Sequence, residues 1–530
     1  MKKIYLILAA ASVVLAANSC LKENVPTTSR EPMIVNFTAT ASSTKTAFGE
    51  IDNENKVVPV LWEGGENLDV CVNEHASAAV QNKIYVDVPE EGTNSPTATW
   101  SYDFSKSYNG TAQSGYVPEA PYTFYAFYPG NNMRAFHAST DYAHATKIQS
   151  LPSVQTPRDN SCDPEAMFLY SISEEYATWP TDVVMPDFQH MTAYGCLTLA
   201  GIEGNVRKVT ITANDGQYLA GTGWFFYGDN EPKNKKAGEW GDYSFSRLTP
   251  SGEAPTETIT INTTKSENIW FGCRPTTDLQ TLTFAVYTDA GYYEVTKQLT
   301  GKNFQKGVVS RMTIGGFVKK ETVTYTWTAE NDSDCFVLGT SVDQTKSSNT
   351  GLVWDASTNT VTQEFYTGYP LLHWDVQMTL KQKKELKYYT YYNTKTSDGF
   401  TVYRLVIGDP ASKQANKLTC VDPLKMTIDP TDDWSVKKAT VVVGSASSFA
   451  HFLDVQVGSE LVIEEGPLKI SLDPELTTYT TDEFTPLSGD VVITVSNKDS
   501  RGTSVDNAIY LYSVSLELVY NPTPQTTPAE

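Results

Sequence analysis

The chain has 530 residues, with 62 acidic against 40 basic side chains and a formal net charge of -22. A protein this acidic has no counterion-release drive toward nucleic acid and is repelled by anionic lipid surfaces, so neither is an expected partner. The length predicts about three domains of roughly 150 residues each, and the 12% aromatic content, with 30 tyrosines, favours β structure.

The first twenty residues have the layout of a secretory signal. Lys2 and Lys3 precede an apolar run from Ile4 to Leu15, and small residues lead into Cys20. The run is shorter than the roughly 20 residues needed to span a bilayer. Ala16-Ala17-Asn18-Ser19-Cys20 resembles a bacterial lipobox, in which the cysteine receives a diacylglyceryl group and becomes the mature N-terminus. Ala17 stands where leucine is commonest and Asn18 is unusual, so the alternative is an ordinary signal peptide with a chance cysteine. The resemblance makes residues 1–20 a lipoprotein signal peptide and Cys20 the lipidation site. The membrane is then a partner through the lipid, because two or more acyl chains anchor stably. Residues 21–32 are polar and contain proline, and read as a linker. Lys22-Glu23 partly resembles a surface-export signal of some Gram-negative anaerobes, which places the protein on the outer membrane at the cell surface.

Downstream, short strand patterns alternate with turn signals, and a sustained 3.6-residue period is almost absent. Val35, Phe37, Ala39 and Ala41 alternate with polar residues. Leu68, Val70 and Val72 do so after Gly64-Gly65. Leu282, Phe284 and Val286 lead into the turn Asp289-Ala290-Gly291, and Tyr293, Val295 and Leu299 continue on a partner strand. Phe124, Tyr125, Phe127 and Tyr128 place aromatics on both faces of one strand, which Pro129-Gly130 ends. Trp62 and Phe188 read as core anchors. The fold class is all-β, built of sandwiches or barrels.

Several of these segments also follow one another in a family order. Thr44-Lys45-Thr46-Ala47-Phe48 is followed by Trp62-Glu63-Gly64-Gly65-Glu66-Asn67-Leu68-Asp69-Val70 and by Tyr122-Thr123-Phe124-Tyr125-Ala126-Phe127-Tyr128-Pro129. Phe188-Gln189-His190-Met191 comes next, and Phe304-Gln305-Lys306-Gly307 precedes Arg311-Met312-Thr313-Ile314. Over about residues 33–317 the set resembles the fimbrillin-like lipoproteins of certain Gram-negative anaerobes. The resemblance implies two tandem transthyretin-like β-sandwich domains, at 33–187 and 188–318, and assembly with other pilus subunits by strand donation. In stalk-forming members a protease cuts after an early arginine and removes the first strand. Here Arg30 precedes the candidate strand from Met33 to Ser42, the next arginine is Arg134, and Lys45 would need a protease that accepts lysine. The proline-rich tail at 522–530 reads as disordered and is a poor donor strand. The expected role is therefore non-stalk: tip, accessory or stand-alone.

From about residue 319 the family motifs stop, and 319–521 reads as one further β-sandwich that weakly resembles a galactose-binding-like jelly roll. Glu321 to Trp327 opens it; Thr401 to Ile407 and Ala439 to Val443 are strands. The long last strand, Ala508 to Tyr520, changes apolar parity between Leu511 and Val514, which predicts a bulge or a passage between sheets. Gly315-Gly316 reads as the flexible junction before this domain.

Candidate chemistry is sparse. Phe365, Tyr366, Tyr369, His373 and Trp374 crowd around Gly368 and Pro370. They read first as core aromatics flanking a turn and second as a platform on which a host or dietary glycan could stack, with Tyr366, Tyr369, His373 and Trp374 as the ligand-binding set. Asp429, Asp432 and Asp433 could offer calcium oxygen ligands but lack EF-hand spacing, and an Asp-Pro turn is the simpler reading. His190 has no second ligand near it in sequence and reads as a core histidine satisfied by backbone. Cysteines 71, 162, 196, 273, 335 and 420 show no metal-ligand spacing, so no metal or cofactor is expected; Cys71 and Cys196 read as small core residues. Nucleophile-elbow, zinc-protease and phosphate-loop motifs are absent, so no enzyme activity is expected. The reading is adhesion or a non-stalk pilus component; the alternative is a glycan-binding surface lipoprotein unconnected with pili.

Overall fold

The computed structural model describes residues 32–40, 47–48, 60–74, 84–89, 95–105, 118–130, 133–136, 143–242, 255–328, 352–355, 360–366, 372–380, 389–395, 401–407, 420–430, 433–445, 450–469, 477–496 and 509–522; between 352 and 427 the description is of the backbone. Cys20, Arg30, Lys45, Tyr369 and Asp432 lie outside these residues. The described chain is all-β, its helical content being two short 3-10 turns at Pro164–Ala166 and Glu231–Lys233.

The first strand, Ile34–Thr40, is central in its sheet. It pairs antiparallel with Thr97–Asp103 and parallel with Asp182–Met185. Its alternation works as the sequence predicts: Val35, Phe37 and Ala39 are buried while Asn36 is exposed. The Phe37 ring stacks on Trp100 at 5.4 Å and meets Phe124 edge-on at 5.5 Å. Trp62 and Phe188, both buried, meet edge-on at 5.2 Å, as expected of core anchors.

The second layer explains the strand with aromatics on both faces. A five-stranded sheet runs in the order Gln189–His190, Leu169–Ile172, Phe124–Tyr128, Asn67–Val72, Ile84–Tyr85. Phe124, Ala126, Tyr128, Val70 and Val72 enter one apolar core. Phe127, Cys71 and Tyr170 enter another, with Tyr125 partly buried against it. A sheet covered on both faces selects continuous apolar runs rather than alternation. The strand Ala193–Leu199 is shared in the same way, with Tyr194 and Cys196 in the first core and Ala193, Leu197 and Leu199 in the second.

Besides that shared layer and the strands Ala145–Leu151 and Gly221–Phe226, which contribute Ile148, Leu151 and Phe225, the second core is lined by two unequal sheets. The larger has six strands in the order Val154–Gln155, Thr258–Asn262, Val206–Ala213, Thr281–Thr288, Tyr292–Gln298, Val318–Lys320. The smaller has three, in the order Ile269–Cys273, Ala193–Leu199, Val309–Ile314. Gly195 belongs to this packing: a Cβ there would collide with the Phe271 ring. The predicted hairpin is present, and its turn is held by Thr288, whose hydroxyl accepts from the backbone N–H groups of Ala290 and Gly291, each at 3.1 Å. Pairings cross residue 188 in both directions. Ala145–Leu151 pairs with Gly221–Phe226 and Val154–Gln155 with Thr258–Asn262, while Gln189–His190 pairs back onto Leu169–Ile172.

The chain does not leave this sandwich at Gly315-Gly316. Val318–Lys320 pairs with Tyr292–Gln298, Val318 standing opposite Glu294 and Lys320 opposite Tyr292. Only Glu321 and Thr322 separate it from Val323–Thr328, which pairs with the last strand, Ile509–Tyr520. Backbone pairing up to Lys320 thus moves the turn between bodies five residues beyond the glycines. The C-terminal region forms two fully antiparallel sheets, of six and seven strands. The parity change in the last strand is a bulge: Trp434–Ser445 pairs Val442 with Ser513 and Val443 with Leu511, skipping Tyr512.

Cys71, Cys162, Cys196 and Cys273 are free and buried, in line with the core reading of Cys71 and Cys196. Burial pushes the Cys71 thiol well above its ordinary range, and nearby Glu74 and Asp69 add to this.

Candidate functional site

Of the proposed platform residues, the backbone brings two into one row and sets a third apart. In the seven-stranded sheet, Thr360–Tyr366 pairs with Leu372–Leu380, which pairs with Cys420–Pro430. Tyr366 stands opposite His373, and His373 opposite Asp429. The adjacent row is Phe365, Trp374, Ile428 and Val491, and both Ile428 and Val491 are fully buried. Strand alternation therefore assigns Trp374 to the register of the buried row, and Tyr366, His373 and Asp429 to the opposite one. Sequence proximity grouped Trp374 with His373; strand geometry separates them, because consecutive residues belong to opposite faces.

The acidic group near residue 430 has a different role from the one expected. Asp429 and Pro430 are the last residues of a strand, not a turn. Asp433 forms an ion pair with Arg207, Nη1 to Oδ1 at 3.2 Å, and so joins the C-terminal module to the second sandwich. An aromatic cluster surrounds this pair. Tyr287 and Tyr292 of the second sandwich meet Trp434 and Tyr520 of the C-terminal module, with ring centroids 5.4 Å apart for Tyr292 and Trp434 and 5.7 Å for Tyr287 and Tyr520. All four side chains are buried. Lys208 Nζ lies 4.3 Å from the Tyr287 ring centroid, and burial depresses its pKa. Burial, with the Asp433 carboxylate next in effect, raises the Tyr520 hydroxyl to about 12.

The sequence carried one signal for this junction. Tyr292 and Tyr293 are adjacent on a strand, so one must leave the core that takes the other. Tyr293 packs in the second core and Tyr292 turns to the module. Replacing Trp434 with alanine removes the largest ring of the cluster. The expected result is a loosened module, seen as at least tenfold faster proteolysis at 321–322 with the second sandwich still folded. Unchanged cleavage would show that the link and ion pair suffice.

His190 is buried, and its Nδ1 lies 2.8 Å from the Tyr194 hydroxyl, so a side chain is among its partners. An open pocket of about 540 Å³ lies beside Val309–Ile314, with Leu279, Leu299, Phe304 and Met312 among its apolar lining and Lys302 and Arg311 among its polar lining. Among the described residues, no group of three or more histidine, cysteine or acidic side chains is placed to hold a metal ion.

No family model matches the chain, and no curated protein matches it. Among solved structures, it is similar to a candidate cell adhesion protein from Bacteroides ovatus, at 12% identity over 55% of this chain and 96% of that one, with a TM-score of 0.31. A candidate cell adhesion protein from Bacteroides fragilis is similar at 13% identity over 53% of this chain and 92% of that one, with a TM-score of 0.28. A carbohydrate-binding module in complex with calcium and xylotriose is similar at 16% identity over 26% of this chain and 92% of that one, with a TM-score of 0.15. Likenesses this distant carry no argument about fold or function.

Proposed function

We propose that this is a lipid-anchored cell-surface protein of the fimbrillin-like kind, acting in adhesion or as a non-stalk pilus component, without enzymatic activity. The observation that supports this best is where the recurring motifs fall. Trp62, Phe124, Phe127, Tyr128, Phe188 and Phe304 are all buried in the two shared cores, so the motifs build a scaffold rather than a reactive centre. An exported leader ending in Cys20 supplies the anchor. The arginine positions support a non-stalk role, because Arg30 precedes Ile34–Thr40 and a cut there would leave that strand in its sheet.

The register row of Tyr366, His373 and Asp429 favours a second reading, in which the C-terminal module captures glycan. One experiment addresses both. Cells expressing the wild type, Cys20→Ser, or Tyr366→Ala with His373→Ala are fractionated and tested for retention on immobilised host and plant polysaccharides. The expected result is that Cys20→Ser moves the protein out of the membrane fraction and abolishes cell retention. Unchanged membrane retention would sink the anchor. Loss of retention in the double variant alone, with membrane localisation intact, would establish glycan capture.

A further inference from the structure

The second sandwich is closed unevenly. Six strands face three, and Val309–Ile314 is the last strand of the smaller sheet. Its inner edge is fixed by parallel pairing with Ala193–Leu199. The carbonyls of Val308 and Ile314 accept from the N–H groups of Tyr194 and Ala200, at 3.1 and 2.8 Å. Backbone direction alternates along a strand, so the N–H and C=O groups of Val309, Arg311 and Thr313 are aimed off the outer edge. Among the described residues, no strand pairs with that edge. The 540 Å³ pocket runs beside it, floored by Leu279, Leu299, Phe304 and Met312. Leu299, Met312, Val295 and Phe317 are only partly buried against the second core, so this flank of the core is incompletely covered.

The charge of the flank is opposite to that of the molecule. Lys302 and Arg311 are the charged residues that line the pocket, with no acidic one among its lining, in a chain of net charge -22. The Arg311 guanidinium lies 5.2 Å from the Trp270 ring centroid. Basic residues on a sheet edge discourage pairing with an identical edge. They do not account for the apolar floor beneath, which an added strand would cover.

We propose that the outer edge of Val309–Ile314 is a docking site for an extended acidic segment of a separate polypeptide. Such a segment adds as a fourth strand to the small sheet. Its main chain pairs with Val309, Arg311 and Thr313, its alternate apolar side chains cover the pocket floor, and its carboxylates meet Lys302 and Arg311. This site uses neither Cys20 nor any residue of the C-terminal module, so its failure leaves the anchoring and glycan readings untouched.

The test uses the full mature chain and three synthetic eight-residue peptides: valine alternating with glutamate, valine alternating with lysine, and the glutamate peptide with proline at two glutamate positions. Binding is read by fluorescence anisotropy, and the contact by amide hydrogen exchange. The expected result is that the glutamate peptide binds about tenfold or more tighter than either control and slows exchange of the Val309, Arg311 and Thr313 amides. Lys302→Glu with Arg311→Glu, both at exposed positions, should reverse the preference between the glutamate and lysine peptides. Equal binding of the two charged peptides, or protection elsewhere, would overturn the proposal. So would a concentration-dependent dimer that protects these amides without peptide, which would assign the edge to a second copy of the chain.

Discussion

Phe127→Ala is expected to destabilise the first and second sandwiches together, by about 3–5 kcal/mol, in one shifted transition. Phe127 is fully buried in the second core. Its neighbours Ala126 and Tyr128, on the other face of the same strand, belong to the first. A cavity beneath the ring therefore weakens a layer on which both cores rest. Cys71, opposite Tyr125 on the adjacent strand, extends the same layer. Calorimetry with hydrogen exchange on both cores makes the check. Exchange should accelerate to a similar extent in Ile34–Thr40 and in Thr281–Thr288, strands at either side of the shared layer. Two separated transitions, with only one shifted, would show that the cores fold independently.

Removing the first strand should have an effect of the same order. Val35, Phe37 and Ala39 are almost wholly inaccessible, and burial of such side chains contributes on the order of 1–3 kcal/mol each. Without Ile34–Thr40, Trp100 loses its stacked partner, Phe124 an edge contact, and two flanking strands their pairing. Deleting residues 33–42 is expected to cost on the order of 5 kcal/mol, close to the whole stability of many domains. A specific protease site placed at Thr44-Lys45 gives the milder version. After cleavage the strand should remain bound through size exclusion and leave only in denaturant, and the protein should stay monomeric. Release of the strand in native buffer, followed by a ladder of self-polymers or filaments in electron micrographs, would overturn the non-stalk reading.

The contrast between Phe37 and Phe127 marks how far local pattern reaches. Around Phe37 one face is buried and the other is wet, so apolar and polar residues alternate and the strand is legible from sequence alone. Around Phe127 both faces are buried, the alternation disappears, and the sequence indicates only that aromatics occur on both sides. Which core takes which side depends on a second sheet formed by residues far along the chain. Trp374 is set apart for a related reason: five aromatic or histidine residues within ten positions look like one cluster, yet strand parity divides the four described ones, with Phe365 and Trp374 in one row and Tyr366 and His373 in the other.

The sequence by itself determined the all-β class, the hairpin around Asp289-Ala290-Gly291 and the break in apolar parity between Leu511 and Val514, because each rests on period, turn chemistry or composition within a short window. The tertiary structure alone decided that two cores share layers across residue 188, that the chain stays paired to Lys320 beyond Gly315-Gly316, that Asp429-Pro430 ends a strand instead of forming a turn, and that Asp433 closes a junction with Arg207. Arg207 and Asp433 are 226 positions apart, and Val309–Ile314 is an edge only because nothing among the described residues pairs beyond it. Contacts of that range are set by how whole sheets stack and end, and no local pattern of side chains encodes them.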